Sequence, residues 1–269
     1  MTCTPHCAIS ADGDTLLRPL FRLSPGFELL LASGSPRRRQ FLTEWGLPFR
    51  LALPDAEEPR PEQGESPEAY TRRAAAAKAR AADTALRLQA ANKPPTDRPQ
   101  HAASRGPQGT SLQPVILAAD TVVAIDGDIL GKPQNPAHAL RMLERLNGAS
   151  HEVISAVCLL LPALGTPATA ASPACTAAGV AVQETIDGPL AMLTFSDVSR
   201  VFFHRWPLSV LQAYVDTGEP DDKAGAYAIQ GQGAVLVERV EGSWSTVVGL
   251  PVTALAQVMI NRGLMQPYS

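Results

Sequence analysis

Four stretches of this 269-residue chain set polar side chains where a backbone turn would hold them against a ligand. The first is LASGSPRRRQFL, residues 31–42. Ser35-Pro36 reads as a helix start, with serine capping the first amides and proline at the first helical position. Such a terminus offers free N–H donors and a partial positive charge, which suit a phosphate. Ser33 and Ser35 add hydroxyls, and Arg37, Arg38 and Arg39 add guanidinium groups able to grip phosphate in a fork. Arginines in a first turn oppose the helix dipole, a cost that a bound anion would offset. A solvated basic turn is the other reading. Arg37, directly after Ser-Pro, is the one expected to face a ligand; Arg38 would assist and Arg39 would be solvated.

The second is Asp120, a carboxylate that follows the apolar run VILAA. Ligands of open α/β sheets collect at the carboxyl ends of strands, although an aspartate there can also simply close a turn. The third is Lys132 in GKP, a point charge in a short loop. The fourth is DKAGAYAIQG, residues 222–231. Its glycines permit close backbone approach, and the Gln230 amide could read a base edge as donor and acceptor together. Lys78, inside an alanine-rich helix, and the pair Glu57/Glu58, in the loop ahead of it, complete the polar set. By residue type alone these three are surface groups.

Other chemistries lack their patterns. No GxxxxGK[ST] occurs, GQG is too short for a dinucleotide fingerprint, and the five histidines show no HxxxH spacing for zinc. Cys3, Cys7, Cys158 and Cys175 make no CxxC pair or disulfide framework. Reduced thiols fit a cytoplasmic protein. The charged fraction is 18% and the net charge −3, a balance that argues against coating nucleic acid. No basic start followed by an apolar core marks a secretory leader, and no apolar run approaches the roughly 20 residues of a membrane span.

The elements that must position these groups alternate. FELLLAS (27–33) reads as a buried strand, followed by a helix that Gly46 ends. SPEAYTRRAAAAKARAADTALRLQAAN (66–92) is the strongest helix. VILAADTVVAIDGDIL (115–130) reads as two strands joined at Asp126-Gly127. NPAHALRMLERLNG (135–148) reads as a capped helix and HEVISAVCLLL (151–161) as a strand. A strand near 191–204, a helix near 208–217, a hairpin turning near Glu241-Gly242 and a helix over about 252–262 follow. Residues 1–26 read as an extension, and the stretches near 93–114 and 162–190 as low-complexity insertions in one domain over 27–266. Strands alternating with helices, with hairpins among them, predict an α/β fold around a mixed twisted sheet.

Taken together, LASGSPRRRQFL, AADTVVAIDGDILGKP, HEVISAV, DKAGAYAIQGQGA and VVGLP resemble the Maf proteins, nucleoside triphosphate pyrophosphatases, over about residues 28–262. The resemblance implies a mixed α/β fold with a substrate cleft, akin to inosine triphosphate pyrophosphatases. It implies metal-dependent cleavage of a nucleoside triphosphate to monophosphate and pyrophosphate, with Mg2+, or Mn2+, as the cation. It further implies the dTTP/UTP type, because Arg37, Thr121 and Gln230 stand where that type carries arginine, threonine and glutamine. Asp120 matches the family's proton-accepting aspartate and would double as a metal ligand with Glu58. Ser33, Ser35, Arg37, Lys78 and Lys132 would hold the triphosphate, and Thr121 and Gln230 would select the pyrimidine. Ala119 replaces the usual glycine before the aspartate, and Ser155 the usual threonine of the HxVxT strand. The alternatives are a 7-methyl-GTP pyrophosphatase and a non-catalytic nucleotide-binding regulator of septation. No nucleic-acid or membrane partner is implied, and a homodimer is left open.

Overall fold

The structure is a computed structural model that describes residues 18–53, 57, 59–92, 112–163, 176–177 and 179–268. In chain order, β1 (Phe21–Leu23) and β2 (Phe27–Leu31) lead into α1 (Pro36–Glu44), β3 (Phe49–Leu51) and α2 (Pro67–Ala91). Then come β4 (Gln113–Ile125), β5 (Asp128–Leu130), α3 (Pro136–Leu146) and β6 (Ser150–Pro162). The short strands β7 (Thr176–Ala177), β8 (Val180–Ala181) and β9 (Gln183–Asp187) precede β10 (Leu190–Phe203) and α4 (Leu208–Asp216). Short 3-10 turns between Glu219 and Leu236 connect to β11 (Val237–Glu241), α5 (Trp244–Val248), α6 (Val252–Asn261) and β12 (Met265–Pro267).

The main sheet runs β11-β10-β6-β4-β2-β3. β2 pairs in parallel with β3 and β4, whereas β4, β6, β10 and β11 are antiparallel neighbours. The sheet is therefore mixed, as expected. β5 folds back on β4 through Asp126 and Gly127, whose φ values of 53° and 83° make the tight turn that the Asp-Gly pair predicts.

Because side chains alternate along a strand, each central strand feeds two cores. Leu29, Leu31, Leu117, Leu159 and Phe195 pack with Leu42, Leu255 and Met259 on one face. Leu30, Ile116, Cys158 and Leu160 pack against Ala75, Ala79 and Ala82 on the other. That alanine stripe lets α2 lie close to the sheet. A third cluster, including Val123, Leu143, Phe203 and Tyr214, joins α3 and α4 to the far ends of β4 and β10.

One interruption makes room for a ligand. β2 ends at Leu31, opposite Leu117, and the Ala32 N–H donates to Leu117 O at 2.8 Å. β4 runs on to Ile125, and β5 joins it only from Val123. Between those points no strand covers that edge of β4 among the described residues, and a cleft opens there.

Three expectations are corrected. The hairpin expected over 235–250 is strand β11 followed by helix α5. WSTVV looks strand-like because of its β-branched residues, but Ser245, Thr246, Val247 and Val248 are all buried under tertiary contacts that override propensity. β9, inside the stretch read as an insertion, pairs with β10; its five residues are all exposed, so no apolar alternation marks it. β1, inside the expected extension, pairs with β12, and Phe21 meets Trp45 edge-on with ring centroids 5.4 Å apart. Residues 1–17, with Cys3, His6 and Cys7, and most of both expected insertions (93–111 and 164–175) lie outside the described residues. No helix among the described residues is long and apolar enough to cross a membrane.

Candidate active site

Asp120 and Thr121 are neighbours on β4, so they leave the strand on opposite faces. The pairing register extends this division across the sheet. Asp120 lies opposite Ala156, itself opposite Ser196, while Thr121 lies opposite Ser155, itself opposite Asp197.

On the α2 face, the Lys78 ammonium forms an ion pair with Asp120 Oδ1. The aspartate side chain is only 5% exposed and the lysine 27%, so the pair sits at the cleft floor with its cation nearer water. Burial makes such a pair costly to break from one side. Arg72, earlier on the same helix, donates to Ser196 Oγ at 2.8 Å and ties α2 to β10.

On the α5 face, the Arg38 guanidinium is 9% exposed. Its Nε donates to Gly249 O at 2.8 Å, Nη1 to Ala119 O at 2.9 Å and to Ser33 Oγ at 3.0 Å, and Nη2 to Thr121 Oγ1 at 2.9 Å. Ser155 Oγ donates to Thr246 O at 2.7 Å. Its proton is thus committed, and the 2.8 Å contact between Thr121 and Ser155 has the Thr121 hydroxyl as donor. A directed chain results: Arg38 to Thr121, Thr121 to Ser155, Ser155 to the Thr246 carbonyl. Thr246 in turn donates its hydroxyl to Asp197. The carbonyl that Arg38 takes from Gly249 is presented by a backbone at φ 123°, which favours glycine.

The cleft encloses about 600 Å³, within the range of roughly 300–1,000 Å³ common for small-molecule sites. Asp120 and Lys78 line it, as do Ser33, Ser35, Arg37, Thr121 and Lys132. Asp222 and Lys223 line it too. Lys223 Nζ donates to Glu219 O at 2.9 Å and to Asp222 Oδ1 at 2.5 Å. That hydrogen bond holds the Asp222 carboxyl below its ordinary range, assisted by the Arg37 charge. The loops carrying Lys132 and Lys223 are joined by Gly225 N–H, which donates to Gly131 O at 3.0 Å. Gly225 has φ 69°, and a Cβ there would come within 2.8 Å of Val123 Cγ2, so this close approach needs glycine.

Tyr227, also on the cleft wall, meets His151 Nε2 at 2.8 Å through its hydroxyl. His151 is buried, and its Nδ1 has no hydrogen-bond partner among the described residues. Burial pushes its imidazole down to about 4 and pushes the Tyr227 phenol well above its ordinary value.

The model of the family described as "Maf-like protein" matches residues 28–262. The chain belongs to this family. A protein of Oleidesulfovibrio alaskensis named dTTP/UTP pyrophosphatase is 44% identical over 239 residues, covering 89% of this chain and 87% of the relative. A protein of Nitratidesulfovibrio vulgaris with the same name is 43% identical over 237 residues, covering 87% and 88%. One from Methylococcus capsulatus, again named dTTP/UTP pyrophosphatase, is 38% identical over 237 residues, covering 88% and 92%.

In this Maf-like chain the fold brings Ser33, Ser35, Arg37, Lys78, Asp120, Thr121 and Lys132 to one cleft. Gln230 is not brought to its wall: it follows the lining residues Ala228 and Ile229 and stands half-buried ahead of a 3-10 turn. Glu58 lies outside the described residues, and Glu57 is exposed. Ser35 does not cap α1 with its side chain; its own N–H donates to Ser33 Oγ at 3.3 Å. Thr121, expected at the base, has its hydroxyl proton engaged by Ser155. Arg38, expected to assist at the ligand, also lines the cleft, with its guanidinium bonded to protein acceptors. Reasoning from residue types missed Lys223, Asp222, His151 and Tyr227. The Asp-Lys pair in DKAGAY was a visible signal for the first two; nothing local marks His151 as buried.

Proposed function

We propose that this chain hydrolyses dTTP and UTP to the nucleoside monophosphate and pyrophosphate. The reading is carried by one observation: a buried carboxylate, Asp120, ion-paired to Lys78 on the floor of a cleft with Arg37, Lys132 and Lys223 around it. The dTTP/UTP pyrophosphatase relatives support the choice of nucleotide.

Water attacks the α-phosphorus in line with the bond to the α–β bridging oxygen. The new O–P bond forms as the bridging bond breaks, pyrophosphate leaves, and Asp120 takes the water's proton. Lys78 holds the carboxylate in place. Arg37, Lys132 and the amide end of α1 after Ser35 hold the triphosphate and stabilise the charge that builds on it. Thr121, whose proton is engaged, presents only an acceptor to the nucleotide.

A divalent cation fits this donor set in one way. Among the described residues no cluster of three His, Cys, Asp or Glu side chains could cage a metal. Mg2+ rarely needs one, since one or two carboxylates, phosphate oxygens and water suffice. Asp120 would supply one oxygen and Glu58 is proposed as the second. When bound, the cation neutralises the phosphates. Nucleoside triphosphates are a cytoplasmic pool, which supports a cytoplasmic setting for the proposed reaction.

The test is release of pyrophosphate from a panel of triphosphates with Mg2+. dTTP and UTP should lead the panel, and Asp120→Asn should lower kcat by about 10³-fold with the fold retained. Release chiefly from 7-methyl-GTP, or wild-type turnover by the Asn variant, would overturn the assignment.

A further inference from the structure

Arg38 is chemically a phosphate ligand, yet its guanidinium is occupied. Four hydrogen bonds of 2.8–3.0 Å join it to the segment after β2 (Ser33), to β4 (Ala119 and Thr121) and to the turn after α5 (Gly249). Two of these acceptors flank Asp120 in sequence. The strand gap explains why: past Leu117, β4 has lost β2 as a neighbour, and the Ala119 carbonyl on that edge is met by a side chain rather than a strand.

We propose that Arg38 is a positioning residue: by gripping the residues on both sides of Asp120, it fixes the direction in which that carboxylate meets the cleft. This inference rests on the reading of the cleft as a triphosphate site. The guanidinium stands in for the missing stretch of β2. It holds the gap at one width, leaving the Asp120 side chain to Lys78 on the opposite face. Lysine cannot take over this task, because three donors on one nitrogen cannot span acceptors from three segments.

The test compares Arg38→Ala, Arg38→Lys and Arg37→Ala. For Arg38→Ala, kcat with dTTP should fall about 100-fold, the scale of a small misplacement of reacting groups. Its calorimetric Kd for pyrophosphate should stay within about twofold of wild type, because no ligand contact is lost. Millimolar guanidinium chloride should restore much of the lost rate to Arg38→Ala, since the vacated space adjoins the cleft. Arg38→Lys should stay impaired. Arg37→Ala should lose pyrophosphate affinity instead.

A readout independent of turnover is the carboxyl 13C resonance of Asp120 in metal-free protein, assigned by its loss in Asp120→Asn. It should shift in Arg38→Ala and return with guanidinium. If the wild type cleaves no triphosphate, the functional reading falls and this resonance alone decides the role of Arg38. Loss of pyrophosphate binding in Arg38→Ala would make Arg38 a direct ligand. A normal kcat with only a lowered Tm, or an unmoved resonance, would make it merely structural. Should the alanine variant not fold, Arg38→Gln takes its place in the same measurements.

Discussion

His151 ties the stability of the fold to pH through one ring. Burial holds its folded-state value near 4, against 6.5 for an exposed imidazole. Between those values the unfolded chain binds a proton that the native chain refuses, so stability falls as pH falls through this window and is fully present above it. The expected loss between pH 7.5 and pH 5 is about 2 kcal/mol from this group. Urea denaturation at the two pH values measures it, and His151→Gln should flatten the slope across the same window. An unchanged slope would show that His151 becomes charged in the native protein.

At the scale of elements, the two Ser-Pro starts look alike in sequence and differ in structure. Ser66 Oγ accepts from the Ala69 N–H at 3.2 Å, whereas Ser35 makes no side-chain cap. Ser66→Ala should therefore cost about 1 kcal/mol, and Ser35→Ala only a few tenths, in equilibrium unfolding. Ser35→Ala should still raise KM for dTTP, because its hydroxyl lines the cleft. The helices α1, α2 and α3 and the β4–β5 turn were legible because proline, alanine and Asp-Gly act locally. α5 was not, since its helical state depends on burial against strands that come earlier in the chain. The same limit applies inside the site. Residue types and turn context named Arg37 and Lys132 but not Lys223, and only the pairing register reveals that Asp120 and Thr121 serve different faces. The bonds of Arg38 span up to 211 residues of sequence and leave no local mark.

At the scale of the whole molecule, an acidic chain of net charge −3 gathers Arg37, Lys78, Lys132 and Lys223 around one cleft. Charge placement, not bulk charge, attracts the anion. The body that holds this cleft is closed by the ribbon of β1 and β12, which joins the two ends of the described chain. Deleting residues 1–26 would remove β1 and the Phe21–Trp45 contact, and should lower Tm by about 5 °C or more. Differential scanning calorimetry checks it; an unchanged Tm would mean that the fold begins at Phe27.

The two-residue period of β4 has a further consequence, one for folding rather than for catalysis. Were β4 to slip by a single position, Asp120 could move into the place of Thr121 beside the Arg38 guanidinium. Local electrostatics would welcome that mistake, because it pairs a carboxylate with a buried cation. At the cleft, the Lys78–Asp120 ion pair on the other face opposes the slip, which would break it. The nine residue pairs between β4 and β6 and the left-handed turn at Asp126 and Gly127 add to that check, so whether the molecule becomes an enzyme or an inert look-alike is decided in part at a turn that does not line the cleft.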